Sequence, residues 1–254
     1  TASSGRFRSW AASHAGTKRT HNEDAFLICP DIGLWAVADG AGGHQAGEVA
    51  AGRVIDMLRE VSAALSAGEA LADVRQRVDA AHAWLRDEAD RRGPDVMIAT
   101  TVVILLARDA HFACLWAGDS RAYLLRDGAL VQISRDHSLV QELVESGAIT
   151  DAEAENHPRA NIITRAVGAD IELLELEKRA GELLPGDRLL LCSDGLCKTL
   201  PNAELERRLL GNLESPAEHL VRAALEAQAK DNITAVVLDV GVRDQTAPGA
   251  IVSG

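Results

Sequence analysis

The sequence has no apolar run long enough to span a bilayer, and residues 1–30 lack the apolar core of a secretory signal. A cytoplasmic chain with no membrane partner is therefore expected. Positive charge is also scarce: 26 Lys and Arg stand against 38 Asp and Glu, for a formal charge of −12. Proteins that track nucleic-acid phosphates display the reverse excess, which argues against a nucleic-acid partner. A phosphorylated substrate stays open, because divalent cations at a carboxylate cluster reverse the local sign. Cysteine is sparse as well. Cys29, Cys114, Cys192 and Cys197 show none of the paired spacing of a zinc site and read as buried thiols. No repeat of fixed period and no low-complexity tract stands out. What is present is 254 residues, 47% hydrophobic, enough for one large domain with a well-buried core.

Periodicity divides that domain into strands and helices. Short strands are predicted at 6–14, 24–28 and 34–38. Val54, Leu58, Val61 and Leu65 then fall at helical spacing, and Leu71, Val74, Val78, Ala81 and Leu85 repeat the pattern until Gly93-Pro94 ends it. The run from Ala99 to Leu106 is β-branched and almost wholly apolar, as a strand buried on both faces requires. Strands at 111–117, 121–126 and 129–133 follow, the last two joined by Asp127-Gly128, a tight-hairpin signal. That hairpin argues for antiparallel pairing and against a doubly wound parallel sheet. After a polar excursion over 137–165, strands are expected at 173–179, 188–193 and 233–240, and helices at 202–210 and 216–229.

Aspartates mark the ends of the apolar runs. Leu34 to Ala38 stops at Asp39-Gly40, and Leu189 to Ser193 stops at Asp194-Gly195. A third run ends in Gly118-Asp119-Ser120-Arg121, and a fourth begins at Asp231-Asn232-Ile233-Thr234. In an antiparallel sheet the end of one strand lies beside the start of its neighbour, so these carboxylates can converge on one edge. Carboxylates held close repel unless a cation neutralises them, and hard oxygen ligands suit Mg²⁺ or Mn²⁺. Asp127-Gly128 is read as a turn alone.

In order along the chain stand Arg19-x-x-Asn22-Glu23-Asp24, Asp39-Gly40-x-Gly42-Gly43, Ala99-Thr100-Thr101, Gly118-Asp119-Ser120-Arg121, Ser193-Asp194-Gly195 and Asp231-Asn232-Ile233-Thr234. The series resembles that of the bacterial metal-dependent Ser/Thr protein phosphatases of type 2C, from about Arg6 to Val240. The resemblance implies an α+β fold, a four-layer αββα sandwich of two antiparallel sheets flanked by helices. It makes 1–243 a single catalytic domain with a flap at about 137–165, before a loosely held tail at 244–254. It also implies two Mn²⁺ or Mg²⁺ ions per site and a weaker third. Asp39 would bridge the two metals, the Gly40 carbonyl would be a ligand of one, and Asp194 and Asp231 would hold the second. Glu23 and Asp24 would act through metal-bound waters, and Asp119 with Asp194 would hold the third ion. Arg19 would bind the substrate phosphate, its planar fork matching two phosphoryl oxygens.

The chemistry implied is hydrolysis of phosphoserine and phosphothreonine without a phosphoenzyme. A water between two divalent cations loses its proton near neutral pH and attacks phosphorus in line. The chain departs from the eukaryotic pattern at Ala41, where a proposed general-acid His would stand. His44 is the candidate proton donor in its place, against a capping or solvated role. Gly42 and Gly43 suit a turn with positive φ close to phosphate or metal water. His137, His157 and Arg159 fall in the flap as substrate contacts or solvated residues, while 164–168 reads as structural. The expected partner is a phosphorylated protein, a Ser/Thr kinase or one of its targets, met by a monomer. The alternatives are a catalytically silent phosphoprotein-binding regulator and a small-molecule phosphoesterase. Silent relatives lose metal carboxylates, whereas Asp24, Asp39, Asp119, Asp194 and Asp231 are all present.

Overall fold

The computed structural model describes residues 2–41, 46–155, 157–211 and 213–241. The chain opens with strands β1 (Ala2–Ser4), β2 (Phe7–His14), β3 (Asp24–Cys29) and β4 (Leu34–Ala41), then helices α1 (Ala46–Arg59) and α2 (Ala67–Arg92). Strands β5 (Ala99–Thr100), β6 (Val102–Arg108), β7 (His111–Ala117), β8 (Arg121–Arg126) and β9 (Ala129–Gln132) follow, and then short helices α3 (Leu139–Glu145) and α4 (Asp151–Glu155). The rest is β10 (Glu177–Glu182), β11 (Arg188–Cys192), α5 (Asp194–Cys197), α6 (Asn202–Leu209), α7 (Pro216–Glu226) and β12 (Ile233–Val240). One sheet runs β1-β2-β12-β11-β8-β9 and the other β10-β7-β6-β4-β3, with β5 paired to β4. Every strand pair is antiparallel.

Side-chain alternation along the strands builds the layers. Leu34, Ala36 and Ala38 of β4, with Val102, Ile104 and Leu106 of β6, pack against α1 and α2. Their neighbours Trp35, Val37, Val103 and Leu105 face the other sheet, where Leu189, Leu191, Val236 and Leu238 meet them. On the far side Leu190, Cys192, Ala235 and Val237 pack under α6 and α7. Helices dry the outer face of each sheet, which is why antiparallel strands here read as unbroken apolar runs. The expected αββα sandwich is the architecture found.

Several boundaries differ from the sequence reading for local reasons. The helix expected to run through Val61 and Leu65 stops at Arg59, closed by Glu60 N–H to Met57 O and Val61 N–H to Leu58 O. A capping box opens α2: Ser66 Oγ accepts from Glu69 N–H, and Glu69 Oε2 accepts from Ser66 N–H. The strand expected at 173–179 forms at Glu177–Glu182, opposite Trp116 to His111 of β7. Leu174 and Leu176 bury their side chains in the core under α1 and α2 before the ladder starts at Glu177. Polar β10 is a sheet edge and carries no alternation to read. Helix α7 stops at Glu226 rather than 229, where Gln228 turns to φ +61°. The Asp127-Gly128 turn has positive φ at both residues, as a tight hairpin needs. Among the described residues no helix is long and apolar enough to cross a membrane.

Candidate metal centre

Asp39-Gly40 does not end its strand; β4 continues to Ala41 and holds Asp39 in register opposite Asp24 of β3. Directly opposed residues share a face, so two carboxylates stand side by side, an arrangement unfavourable for like charges. Asp39 keeps the parity of Trp35 and Val37, which places it between the sheets at the rim. The rim also holds the end of β11 and the start of β12, which pair with each other. Hydroxyls from that second sheet reach Asp24: Ser193 Oγ and Thr234 Oγ1 donate to its Oδ2 at 2.7 and 2.6 Å. Ser13 then donates to Thr234 Oγ1 and Asn22 Nδ2 to Ser13 Oγ, so the two sheets are joined beneath the carboxylates. The other oxygen of Asp24, Oδ1, is buried with no partner.

The electrostatics follow from that crowding. Burial pushes Asp24 up from 3.8 to about 7, against the two hydroxyls that favour its charged form, with Asp194 and Asp231 adding to the rise. Asp39 is held well above the ordinary carboxylate range, first by burial and then by Asp24, Asp194 and Asp119; Asp194 lies within its hydrogen-bonding reach. Thr100 and Thr101 grip its peptide. Thr100 Oγ1 donates to Asp39 O, Thr101 N–H donates to the same oxygen, and Thr101 Oγ1 accepts from Asp39 N–H.

Arg19 and Glu23 lie on the segment between β2 and β3, which Asn232 pins. Its Oδ1 accepts from Glu23 N–H, and its Nδ2 donates to Ala15 O and His21 O. Arg19 makes a bidentate pair with Asp231 at 2.9 and 3.0 Å and lies in the field of Glu23 and Asp39. Glu23 packs against α1, its carboxylate 2.8 Å from where a Cβ on Gly47 would stand. A Cβ on Gly40 would in turn come 2.1 Å from Gly47 O, so the backbone beside the Gly40 carbonyl admits glycine alone. Asp194 starts α5 instead of closing a turn, and Gly195 lets that helix approach Asn232 O, 2.0 Å from a hypothetical Cβ. Asp119 is 2% exposed and leaves Oδ1 unpartnered.

Among the described residues, no three acidic, His or Cys side chains converge as a ready-made cage. Two cations stand among the carboxylates: Arg19 on Asp231, and Lys198, whose ammonium lies 2.9 Å from Asp119 and 2.7 Å from Asp194. The donors nonetheless fit hard divalent ions. They are all oxygen, they are crowded beyond what those two cations neutralise, and Oδ1 of Asp24 is buried with no partner. Gly42, Gly43 and His44 lie outside the described residues. His137 is buried rather than solvated: it accepts at Nδ1 from Gly118 N–H and lies 2.8 Å from Glu177 at Nε2. His157 accepts at Nδ1 from Arg159 N–H. Val167 pairs with Thr100 and Gly168 N–H donates to buried His82, a structural role for 164–168 as expected. A cavity of about 550 Å³ at the opposite rim, lined by Arg6, Leu125, Asp187 and Val240, is remote from these carboxylates.

Thr100, Thr101, Ser193, Asn232 and Thr234 stand within the motifs, but their roles appear only in the fold, and Lys198 lies outside every motif. A Lys four residues after Asp194 on an Asp-Gly helix start is the signal that was there.

Two antiparallel sheets between helices, with crowded carboxylates at one rim, define a protein of the divalent-cation carboxylate class. The profile of the Protein phosphatase 2C family matches residues 12–236. Serine/threonine protein phosphatase PstP of Mycobacterium tuberculosis is 38% identical over 235 residues, 91% of this chain and 44% of that protein. The chain thus spans less than half of that relative. The solved structure of PppA, a key regulatory component of T6SS in Pseudomonas aeruginosa, superposes with a TM-score of 0.85 at 45% identity, covering 92% of this chain and 97% of that one. The catalytic domain of PstP in complex with 2 manganese ions superposes at 0.83 and 35% identity, covering 93% and 99%. The chain belongs to the Protein phosphatase 2C family.

Proposed function

We propose that this chain is a Ser/Thr phosphoprotein phosphatase that hydrolyses phosphoserine and phosphothreonine with two Mn²⁺ or Mg²⁺ ions and no phosphoenzyme. The observation that carries the reading is the Asp24–Asp39 pair, two carboxylates opposed in register, with Asp194 and Asp119 crowding Asp39. Bound there, the cations supply a nucleophilic water at neutral pH and offset charge on the phosphoryl group. Asp39, Asp194, Asp231 and the Gly40 carbonyl are the residues to hold them. Glu23 and Asp24 would act on them through bound water, with Ser193 and Thr234 fixing the Asp24 carboxylate. Arg19 takes the substrate phosphate, its fork exchanging the two oxygens of Asp231 for two of the phosphoryl group.

The partner is a phosphorylated protein, a Ser/Thr kinase or one of its targets, met in the cytoplasm by a monomer whose catalytic domain is 1–243 with 137–165 as its flap. Retention of Asp24, Asp39, Asp119, Asp194 and Asp231 favours this over a silent regulator. Turnover of para-nitrophenyl phosphate with Mn²⁺ should vanish with chelator and fall by orders of magnitude in Asp39→Asn, and a rate untouched by chelator would refute the mechanism. Phosphothreonine and phosphoserine peptides should be preferred to phosphotyrosine, and a strict phosphotyrosine preference would overturn the substrate assignment.

A further inference from the structure

Lys198 stands where the carboxylate rim meets the polar excursion. Its ammonium lies 2.7 Å from Asp194 Oδ2, 2.9 Å from Asp119 Oδ2 and 3.2 Å from Asn161 Oδ1. These acceptors come from three separate segments: the start of α5, the turn after β7, and the stretch between α4 and β10. An ammonium has three N–H donors, and here each has an oxygen to meet. We propose that Lys198 is a built-in cation in the position a third divalent ion would otherwise take, leaving the centre two ions and tying Asn161 to it.

Local geometry holds the lysine in that place. It follows Asp194 by one helical turn, and its own N–H donates to Asp194 O at 2.8 Å. Its side chain is one-third exposed, so the stem reaches inward from the surface and delivers charge to Asp119, which is 2% exposed. A carboxylate so deep is costly without a positive partner. Lys198 supplies that charge at any ion concentration, because it is tethered. A divalent ion between the same two carboxylates would face the ammonium at a few ångströms, a strong repulsion at protein dielectric. The same carboxylates therefore serve one cation or the other.

The inference rests on reading this rim as a divalent-ion centre, and counting bound ions separates the two. Mn²⁺ is titrated into the chelator-treated chain by calorimetry, with free Mn²⁺ counted by electron paramagnetic resonance. The wild type should bind two ions and Lys198→Met three, and Asp119→Asn added to Lys198→Met should return the count to two. Should Lys198→Met fail to fold, the neutral, near-isosteric Lys198→Gln carries the same measurement. Three ions in the wild type, or two in both proteins, would overturn the assignment of Lys198 and leave the binuclear reading intact. Fewer than two in the wild type would overturn both.

Discussion

Asp24→Asn should strengthen the fold while it weakens the enzyme. Burial lifts the Asp24 carboxyl from 3.8 to about 7 in the folded chain. Between those values the folded state binds a proton that the unfolded state releases, so this group makes stability fall as pH rises from about 4 to about 7. Above pH 7 the cost of keeping the carboxylate ionised is complete, an upper bound of about 4 kcal/mol. Residual exposure of the residue and water entry reduce this to about 2 kcal/mol. Asparagine keeps an acceptor for Ser193 and Thr234 and places an amide where Oδ1 has no partner. At about 2–4 °C per kcal/mol for a chain of this size, the variant should melt about 4–8 °C higher in chelator at pH 8, and the gap should close towards pH 4. Differential scanning calorimetry at the two pH values reads this directly. With saturating Mg²⁺ the order should narrow or invert, because ion binding stabilises the wild type by about 2.7 kcal/mol at a hundredfold excess over Kd and the variant by less. A variant that melts lower than wild type in chelator at pH 8 would refute the reasoning, since Asp24 would then be an ordinary satisfied buried acid.

Arg19→Ala removes a pair whose partners are 58% and 46% exposed, so the melting temperature should move by less than about 2 °C, while kcat/KM for a phosphopeptide falls about a hundredfold. An unchanged kcat/KM would remove Arg19 from the substrate site. Asn232→Ala takes away the three hydrogen bonds that pin the segment carrying Arg19 and Glu23, so it should cost about 2–3 kcal/mol by chemical denaturation and reduce turnover at least about tenfold. Loss of stability with full turnover would show that the segment stays in place without it.

The layers were legible because each long run carries its own sorting rule. Leu34, Ala36 and Ala38 go one way and Trp35 and Val37 the other, and a chain with helices on both sides of two sheets needs little more. The elements that went astray lack such a rule. Polar β10 is set by the register of β7, and the end of α1 is set by backbone turns after Met57. The acids of the site were legible because they adjoin apolar runs, where a charge has no packing reason to be. Their supports were less so: Ser193 and Thr234 meet Asp24 only across the gap between sheets, and no spacing along the chain records that contact. Lys198 carries no such mark in the sequence, since its role exists only once Asp119 has been folded beside Asp194.

The two cations among the carboxylates differ in a way that assigns them different work. Arg19 is more than half exposed and holds Asp231 with a flat fork, a pairing of exposed groups that is worth little and exchanges readily for another anion with two oxygens to offer. Lys198 has an oxygen for every donor, and one of those oxygens belongs to an acid 2% exposed, so releasing it would strand a buried charge. The first cation is free to leave for a phosphoryl group and the second is not. Substrate charge therefore enters the rim on the Asp231 side, while on the other side Asp119 has its positive partner in the chain itself before any substrate arrives.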